Sequence, residues 1–143
     1  MDPAEPALNP AAFAALVREA SEEQLASGMA ANRELILTEV FRQMPASLDA
    51  AAAAGVDAVV EWRIAGREDG GHDAWQVTIR DGAASVERGA PTEPQVVFAI
   101  GAVDFLRLVV GAAEGPELFM HGRLKVEGDL VLALRMPQLF RLP

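Results

Sequence analysis

The chain has 143 residues, 51% of them hydrophobic, which is the length of one ordinary domain and enough to bury a core. Its 12 basic and 21 acidic residues give a net charge of −9, which argues against a nucleic-acid-binding protein. No cysteine is present, so disulfides, thiolate metal sites and thiol nucleophiles are excluded. We see no signal peptide and no apolar run long enough to span a membrane, and we expect a cytoplasmic protein.

The first 30 residues predict a helical extension. Asn9 and Pro10 are typical of a helix start, and apolar residues recur at helical spacing between residues 13 and 20. Ser21 and Gln24 have the spacing of a second capping box, and Gly28 is a stop signal.

Two more helices are predicted before the sheet. Apolar residues at helical spacing favour a helix over residues 32–44, which Pro45 ends because proline cannot donate to the preceding turn. The alanine run at residues 50–54, closed by Gly55, predicts a short third helix.

The apolar period then changes to that of a strand. Apolar and polar residues alternate in "VVEWRIAG" and "AWQVTIR", and Asp81-Gly82 is a favoured hairpin turn into "AASVER". These segments predict three consecutive antiparallel strands. Trp62 and Trp75 fall on inward-facing positions, where core packing is favoured and ligand stacking is the alternative.

The C-terminal half predicts two further strands and three helical segments. "QVVFAI" and "RLKVE" have strand character, whereas "VDFLRLVVGA", "PELFM" and "LVLALRM" have helical character. The whole chain therefore predicts an α+β domain with mixed α/β layers.

The sequence offers little for catalysis. Phosphate-binding loops, nucleophile elbows and zinc signatures are absent. The two histidines could each act with a neighbouring carboxylate, His72 with Asp73 and His121 with Asp104, but solvated imidazoles are the favoured interpretation. We predict no catalytic residue, no metal site and no cofactor.

Three segments, "WRIAGREDGGHDAWQVTIRDGAASVERG", "VVFAIGAVDFLRLVVGA" and "LFMHGRLKVEGDLVLALRMPQLF", resemble the sterol carrier protein 2 (SCP2) family. The resemblance covers residues 59–140. Its most specific element is Phe119-Met120 followed by the glycine-bounded segment 122–128 and then Asp129. Asp104-Phe105-Leu106, with Gly111 five residues later, is the second family feature.

The resemblance implies a fold and a function. The fold is a five-stranded, mostly antiparallel sheet covered on one face by helices, with an apolar tunnel between helices and sheet. The function is non-enzymatic binding and transfer of a fatty acid, fatty acyl-CoA, sterol or similar lipid. Residues 31–143 are expected to form this domain, with residues 1–30 as an added helical extension. The chain ends without a Ser-Lys-Leu peroxisomal address, and its alanine- and arginine-rich composition indicates a bacterial source.

A tunnel of this kind needs adaptable apolar walls, for which methionine is well suited. The predicted ligand-binding residues are Phe105, Val109, Phe119, Met120, Leu124, Leu130, Leu134 and Met136. Four basic residues near the C-terminus could meet an anionic head group or make a transient contact with an anionic membrane: Arg123, Lys125, Arg135 and Arg141.

The alternative function belongs to the class of interaction modules. An SCP2-like domain with a filled core would serve as a homodimerising or partner-docking unit, with the N-terminal helix as its contact surface. An enzyme is a distant third interpretation.

Overall fold

The computed structural model describes residues 10–140 of the chain. The helices of this part are α1 (Pro10–Glu19), α2 (Glu22–Gln43), α3 (Ala102–Val109), α4 (Gly115–Met120) and α5 (Leu130–Leu139), with a 3₁₀ helix at Met44–Ser47. The strands are β1 (Ala58–Ala65), β2 (His72–Arg80), β3 (Ala83–Arg88), β4 (Val96–Gly101) and β5 (Leu124–Gly128). Over these residues no helix is both long enough and apolar enough to cross a bilayer.

The five strands form one sheet in the order β3-β2-β1-β4-β5. β1 pairs with β4 in parallel, and the other three pairings are antiparallel. The expected α+β class, with a five-stranded, mostly antiparallel sheet, is therefore confirmed. Asp81 and Gly82 have φ values of 54° and 73°, the left-handed geometry that a tight hairpin between β2 and β3 requires.

The capping box predicted at Ser21 is confirmed as the start of α2. The Ser21 hydroxyl accepts a hydrogen bond from the Gln24 amide at 3.1 Å, and the Gln24 side chain accepts one from the Ser21 amide at 2.9 Å. Gly28 does not end the helix, so the predicted stop there is wrong, whereas the helix predicted over residues 32–44 corresponds to the part of α2 that follows Asn32. α2 continues to Gln43 with a kink at Asn32 (φ −136°, ψ 30°). A glycine costs a helix only about 1 kcal/mol, which burial of neighbours such as Met29 offsets.

The predicted helix at residues 50–54 is also wrong. This segment forms turns in which the Asp49 carboxylate accepts hydrogen bonds from the amides of Ala51 and Ala52, at 3.1 Å and 3.2 Å. Five residues supply too few backbone bonds to offset helix nucleation, even when all are alanine. The predicted N-cap Asn9 lies outside the described residues.

The connection from β3 to β4 crosses the sheet face that the helices leave open. Glu61 and Gln76 point toward this connection and are each only 2% exposed. The Gln76 amide donates to the Glu61 carboxylate at 2.9 Å and to the Thr92 carbonyl at 2.6 Å, and Arg63 donates to the second Glu61 oxygen at 2.6 Å. The two buried polar side chains are therefore partnered, as burial requires.

A row of packed aromatic rings lies between the sheet and its helices. Phe41 of α2 lies 4.8 Å from Trp75 and 5.2 Å from Phe105, measured between ring centroids. Trp62 lies 5.4 Å from Phe105 and 4.7 Å from Phe98. Both tryptophans thus take part in core packing, the interpretation that their strand positions favoured.

Polar contacts fix the second half of α2 against the sheet. Arg33 donates to Asp73 at 2.7 Å and to the Ala65 carbonyl at 3.0 Å. The next residue, Glu34, forms an ion pair with Arg88 and raises the pKa of that guanidinium by accepting its hydrogen bond. Ion pairs and hydrogen bonds therefore hold α2 against the sheet, in addition to the aromatic contacts.

We expect Phe41→Ala to lower the free energy of unfolding by about 3–5 kcal/mol, because it removes the ring that joins α2 to both Trp75 and Phe105. Urea denaturation followed by circular dichroism measures the change. Val131→Ala is the control: its side chain is 70% exposed, and the change should stay within about 0.5 kcal/mol. Equal losses for the two variants would contradict the assignment of the core.

Gly122 and Gly128, which flank β5, both have a left-handed backbone, with φ values of 73° and 97°. We expect Gly122→Ala to cost about 1–2 kcal/mol, since a Cβ there meets nothing within 4 Å. Gly128→Ala should cost about 3 kcal/mol or more, because its Cβ would lie 2.3 Å from the Gln95 carbonyl oxygen. Thermal unfolding of the two variants makes the comparison, and a milder effect at position 128 would refute it.

Candidate functional site

Four of the eight predicted ligand-binding residues face the interior. Phe105 is fully buried, and Leu124 and Met136 are buried as well. Val109, at the end of α3, is half-buried. These side chains come from α3, β5 and α5, so three different elements bring them to the helix-covered side of the sheet.

The other four face solvent. Phe119, Met120, Leu130 and Leu134 are 53%, 83%, 58% and 74% exposed. Phe119 and Met120 end α4, while Leu130 and Leu134 lie one turn apart on α5. β5 lies between the two helices in the chain and contacts both of them. Contact of any of the eight residues with a ligand stays a prediction.

The position of α5 follows from its two ends. Asp129 caps its start by accepting a hydrogen bond from the Leu132 amide at 3.0 Å. At its other end the Asp49 amide donates to the Leu139 carbonyl at 2.7 Å. Leu132 and Leu139 are buried between these anchors, and Leu134 is turned outward. This largely apolar helix, whose polar side chains are Arg135 and Gln138, therefore has one face packed and one face uncovered.

The basic residues singled out near the C-terminus have different surroundings. Arg123 binds Asp104 with two hydrogen bonds, the longer at 3.0 Å, and lies 3.6 Å from Glu22. Arg135 reaches the Ala52 carbonyl at 3.4 Å, and Lys125 is exposed. Arg141 lies outside the described residues. An anionic head group would therefore compete with existing partners of Arg123.

The histidines are exposed, and their neighbouring carboxylates bind arginines. Asp73, beside His72, accepts from Arg33, and Asp104, the acid suggested for His121, accepts from Arg123. Neither pairing in this structure shows a carboxylate that orients an imidazole. Across residues 10–140 no group of three or more His, Cys, Asp or Glu side chains could hold a metal ion.

An apolar groove of about 360 Å³ lies between α1, α2 and α3. Its apolar lining comes mostly from the two N-terminal helices and includes Phe13, Leu16, Val17, Leu25, Met29, Ile36 and Leu106. We did not predict this groove from the sequence. The signal that could have found it is the apolar stripe on each of two successive helices, because two such stripes must face one another or the core.

Polar contacts near the join of α1 and α2 hold these helices against the rest of the fold. Arg18 donates to the Val110 carbonyl at the end of α3. Glu22, in the first turn of α2, lies 3.6 Å from both Arg107 and Arg123. The groove is therefore bounded by helices that are tied to α3 and to the start of β5.

Comparison with known proteins agrees with this fold. The model of the SCP-2 sterol transfer family matches residues 37–141. Hydroxysteroid dehydrogenase-like protein 2 of Xenopus laevis is 27% identical over 104 residues, which are 72% of this chain and 24% of that protein. The chain thus spans about a quarter of the length of this curated relative.

Two solved structures share the architecture. Sterol carrier protein 2 from Yarrowia lipolytica, in its apo form, aligns with a TM-score of 0.55 at 21% identity, covering 70% of this chain and 83% of that one. Palmitated SCP2L2 from Aedes aegypti aligns with a TM-score of 0.57 at 20% identity, covering 69% and 88%. At these identities the structures show the fold, and the family match covers most of the chain. The chain therefore belongs to the SCP-2 sterol transfer family, whose domain is a lipid-binding fold without catalysis of its own.

Proposed function

We propose that this chain is a non-enzymatic carrier that binds and transfers an apolar ligand between its helices and its sheet. The ligand class is a fatty acid, fatty acyl-CoA, sterol or similar lipid. Family membership supports lipid binding in general, and the palmitated mosquito relative supports an acyl chain as one ligand type. The cytoplasmic location and bacterial source stay predictions.

The observation that carries this proposal is the apolar surface left uncovered near the C-terminus. Within the described residues seven large hydrophobic side chains are exposed, and five of them lie between residues 119 and 134. Exposed apolar side chains that are concentrated in one short stretch of the chain, unlike scattered ones, favour a binding surface. The buried Phe105, Leu124 and Met136 would form the floor of the ligand site, and the exposed Met120 and Leu134 its mouth.

An unpartnered donor in the interior supports the same location. The indole N–H of Trp62 is buried and has no hydrogen-bond partner among the described residues. A buried polar group without a partner is uncommon and calls for an explanation. The ring of Trp62 lies beside Phe105, so a ligand oxygen that entered between helices and sheet would find this donor.

The magnitudes allow useful affinity without specific polar recognition. Burying roughly ten methylene groups of an acyl chain contributes about 8 kcal/mol before association and ordering costs. Once those costs are subtracted, roughly ten groups bind more weakly than micromolar, whereas a chain of about sixteen methylene groups, which contributes about 13 kcal/mol, can reach micromolar affinity with little selectivity for the head group.

The filled interior favours a second candidate function. The packed rings of Phe41, Trp62 and Phe105 occupy space that a tunnel would need. A domain packed in this way would serve as a homodimerising or partner-docking module, with the N-terminal helix as its contact surface. A transient contact of the uncovered apolar side chains near the C-terminus with an anionic membrane, with Lys125 beside them, is a further proposal.

Native mass spectrometry of the purified protein, followed by displacement of a fluorescent fatty acid, separates the carrier from the docking module. A carrier is expected to retain a lipid or to release the probe when unlabelled lipid is added. A dimer that neither retains lipid nor binds the probe would contradict the carrier proposal and favour the docking module.

Leu134→Gln should weaken binding of the fluorescent fatty acid by about tenfold, because it removes one apolar contact at the mouth of the site. The fold should tolerate this change, since the side chain is 74% exposed. Leu35→Gln is the matched control on α2, where the leucine is 43% exposed, and it should leave the affinity unchanged. Fluorescence titration measures both, and equal affinities for the two variants would place the ligand elsewhere.

A further inference from the structure

We propose that the groove between α1 and α2 is a second ligand site, one that takes a slender aliphatic chain with an uncharged hydroxyl head. This site goes beyond the proposed function, which concerns the family domain. Ten of the eleven residues that line the groove precede residue 37, where the family match begins. α3 supplies the remaining one, Leu106.

The size of the groove selects a slender ligand. Its volume of about 360 Å³ is at the lower end of the range for small-molecule sites, which is roughly 300–1,000 Å³. It has room for about a dozen groups the size of a water molecule. A medium-length aliphatic chain has this bulk, whereas an acyl-CoA is far larger.

The groove has an apolar floor and a partly open side. Val17, Leu25 and Leu106 are buried at its base, whereas Leu16 at its edge is 53% exposed. At Gly28 the wall lacks a side chain, and a Cβ built there would meet nothing within 4 Å. The wall therefore leaves open space on α2 at a position where a larger side chain would otherwise project.

The charge at the groove decides between head groups. Among the described residues that line it, Glu19 alone carries a charge. The nearest base along the chain, Arg18, is not among the lining residues and donates to the Val110 carbonyl. No cation is among the described lining residues, so a carboxylate or phosphate head would meet the like charge of Glu19, whereas a hydroxyl could donate to this carboxylate.

The contacts that hold α1 and α2 make the groove preformed. Arg18 ties the end of α1 to α3, and Glu22 ties the start of α2 to Arg107. A site that exists before the ligand arrives avoids part of the ordering cost of binding. A short chain could therefore bind although it buries limited area.

Gly28→Leu tests the site by filling it. Isothermal titration calorimetry with dodecanol is expected to show binding to the unaltered chain and a loss of about tenfold or more in the variant. The variant should be at least as stable as the unaltered chain, since leucine is a better helix former than glycine, so loss of binding cannot be ascribed to unfolding. Ala26→Leu, on the same helix but outside the lining, should bind dodecanol normally.

A comparison of dodecanol with dodecanoate tests the preference for an uncharged head group. Dodecanoate, with the same chain length, should bind the groove more weakly than dodecanol. Glu19→Gln should reduce this difference in affinity, because it removes the like charge that the carboxylate head meets. Equal binding of dodecanol by Gly28→Leu and the unaltered chain, or no binding by the unaltered chain, would overturn the site. Dodecanoate binding as tightly as dodecanol in a manner sensitive to Gly28→Leu would overturn the ligand class.

Failure of this site is distinguishable from failure of the proposed function. Titration of Gly28→Leu and Leu134→Gln with the fluorescent fatty acid reports on the family domain, and titration with dodecanol reports on the groove. A fatty acid affinity reduced only by Leu134→Gln, with a dodecanol affinity reduced only by Gly28→Leu, supports two separate sites. Dodecanol binding that follows Leu134→Gln and ignores Gly28→Leu overturns the groove and leaves the carrier proposal standing.

Discussion

Phe41 packs with its ring between Trp75 of β2 and Phe105 of α3, 4.8 Å and 5.2 Å away. One side chain thereby joins the long helix α2 to the sheet and to the helix that follows β4. Stacked rings contribute packing energy beyond the area that they bury. The placement of α2 in turn sets that of α1, because the two helices meet at the capping box of Ser21.

This aromatic packing also limits where an apolar ligand can go. A chain that entered between helices and sheet would have to displace rings or separate α5 from β4 and β5, which it contacts. α5 is short and contains Pro137, so it has fewer internal bonds to lose than α2 has. The N-terminal groove makes no such demand, since its volume is already open. The two proposed sites therefore differ in what binding costs the protein.

Local patterns predicted most of the fold, and the remainder depended on tertiary packing. Alternation around Trp62 and the Asp81-Gly82 turn predicted the β1–β2–β3 meander because both signals are local. The helix end predicted at Gly28 and the helix predicted at the alanine run were wrong, because packing and the number of available backbone hydrogen bonds decide how long a helix is. In the site, residues 130–134 of α5 are all apolar, so no polar residue within this segment shows that Leu134 points outward. The groove was missed because it depends on the angle between two helices.

The crossing of the sheet by the β3–β4 connection has a consequence for folding order. β1, β2 and β3 are joined by short turns and can pair locally, whereas the parallel pairing of β1 with β4 must wait until the chain has passed across two strands. Gln76 and Glu61 are buried only when Thr92 and its neighbours arrive over them. Burial of Gln76 and Glu61 therefore accompanies this non-local step, after which β5 and α5 can dock against β4.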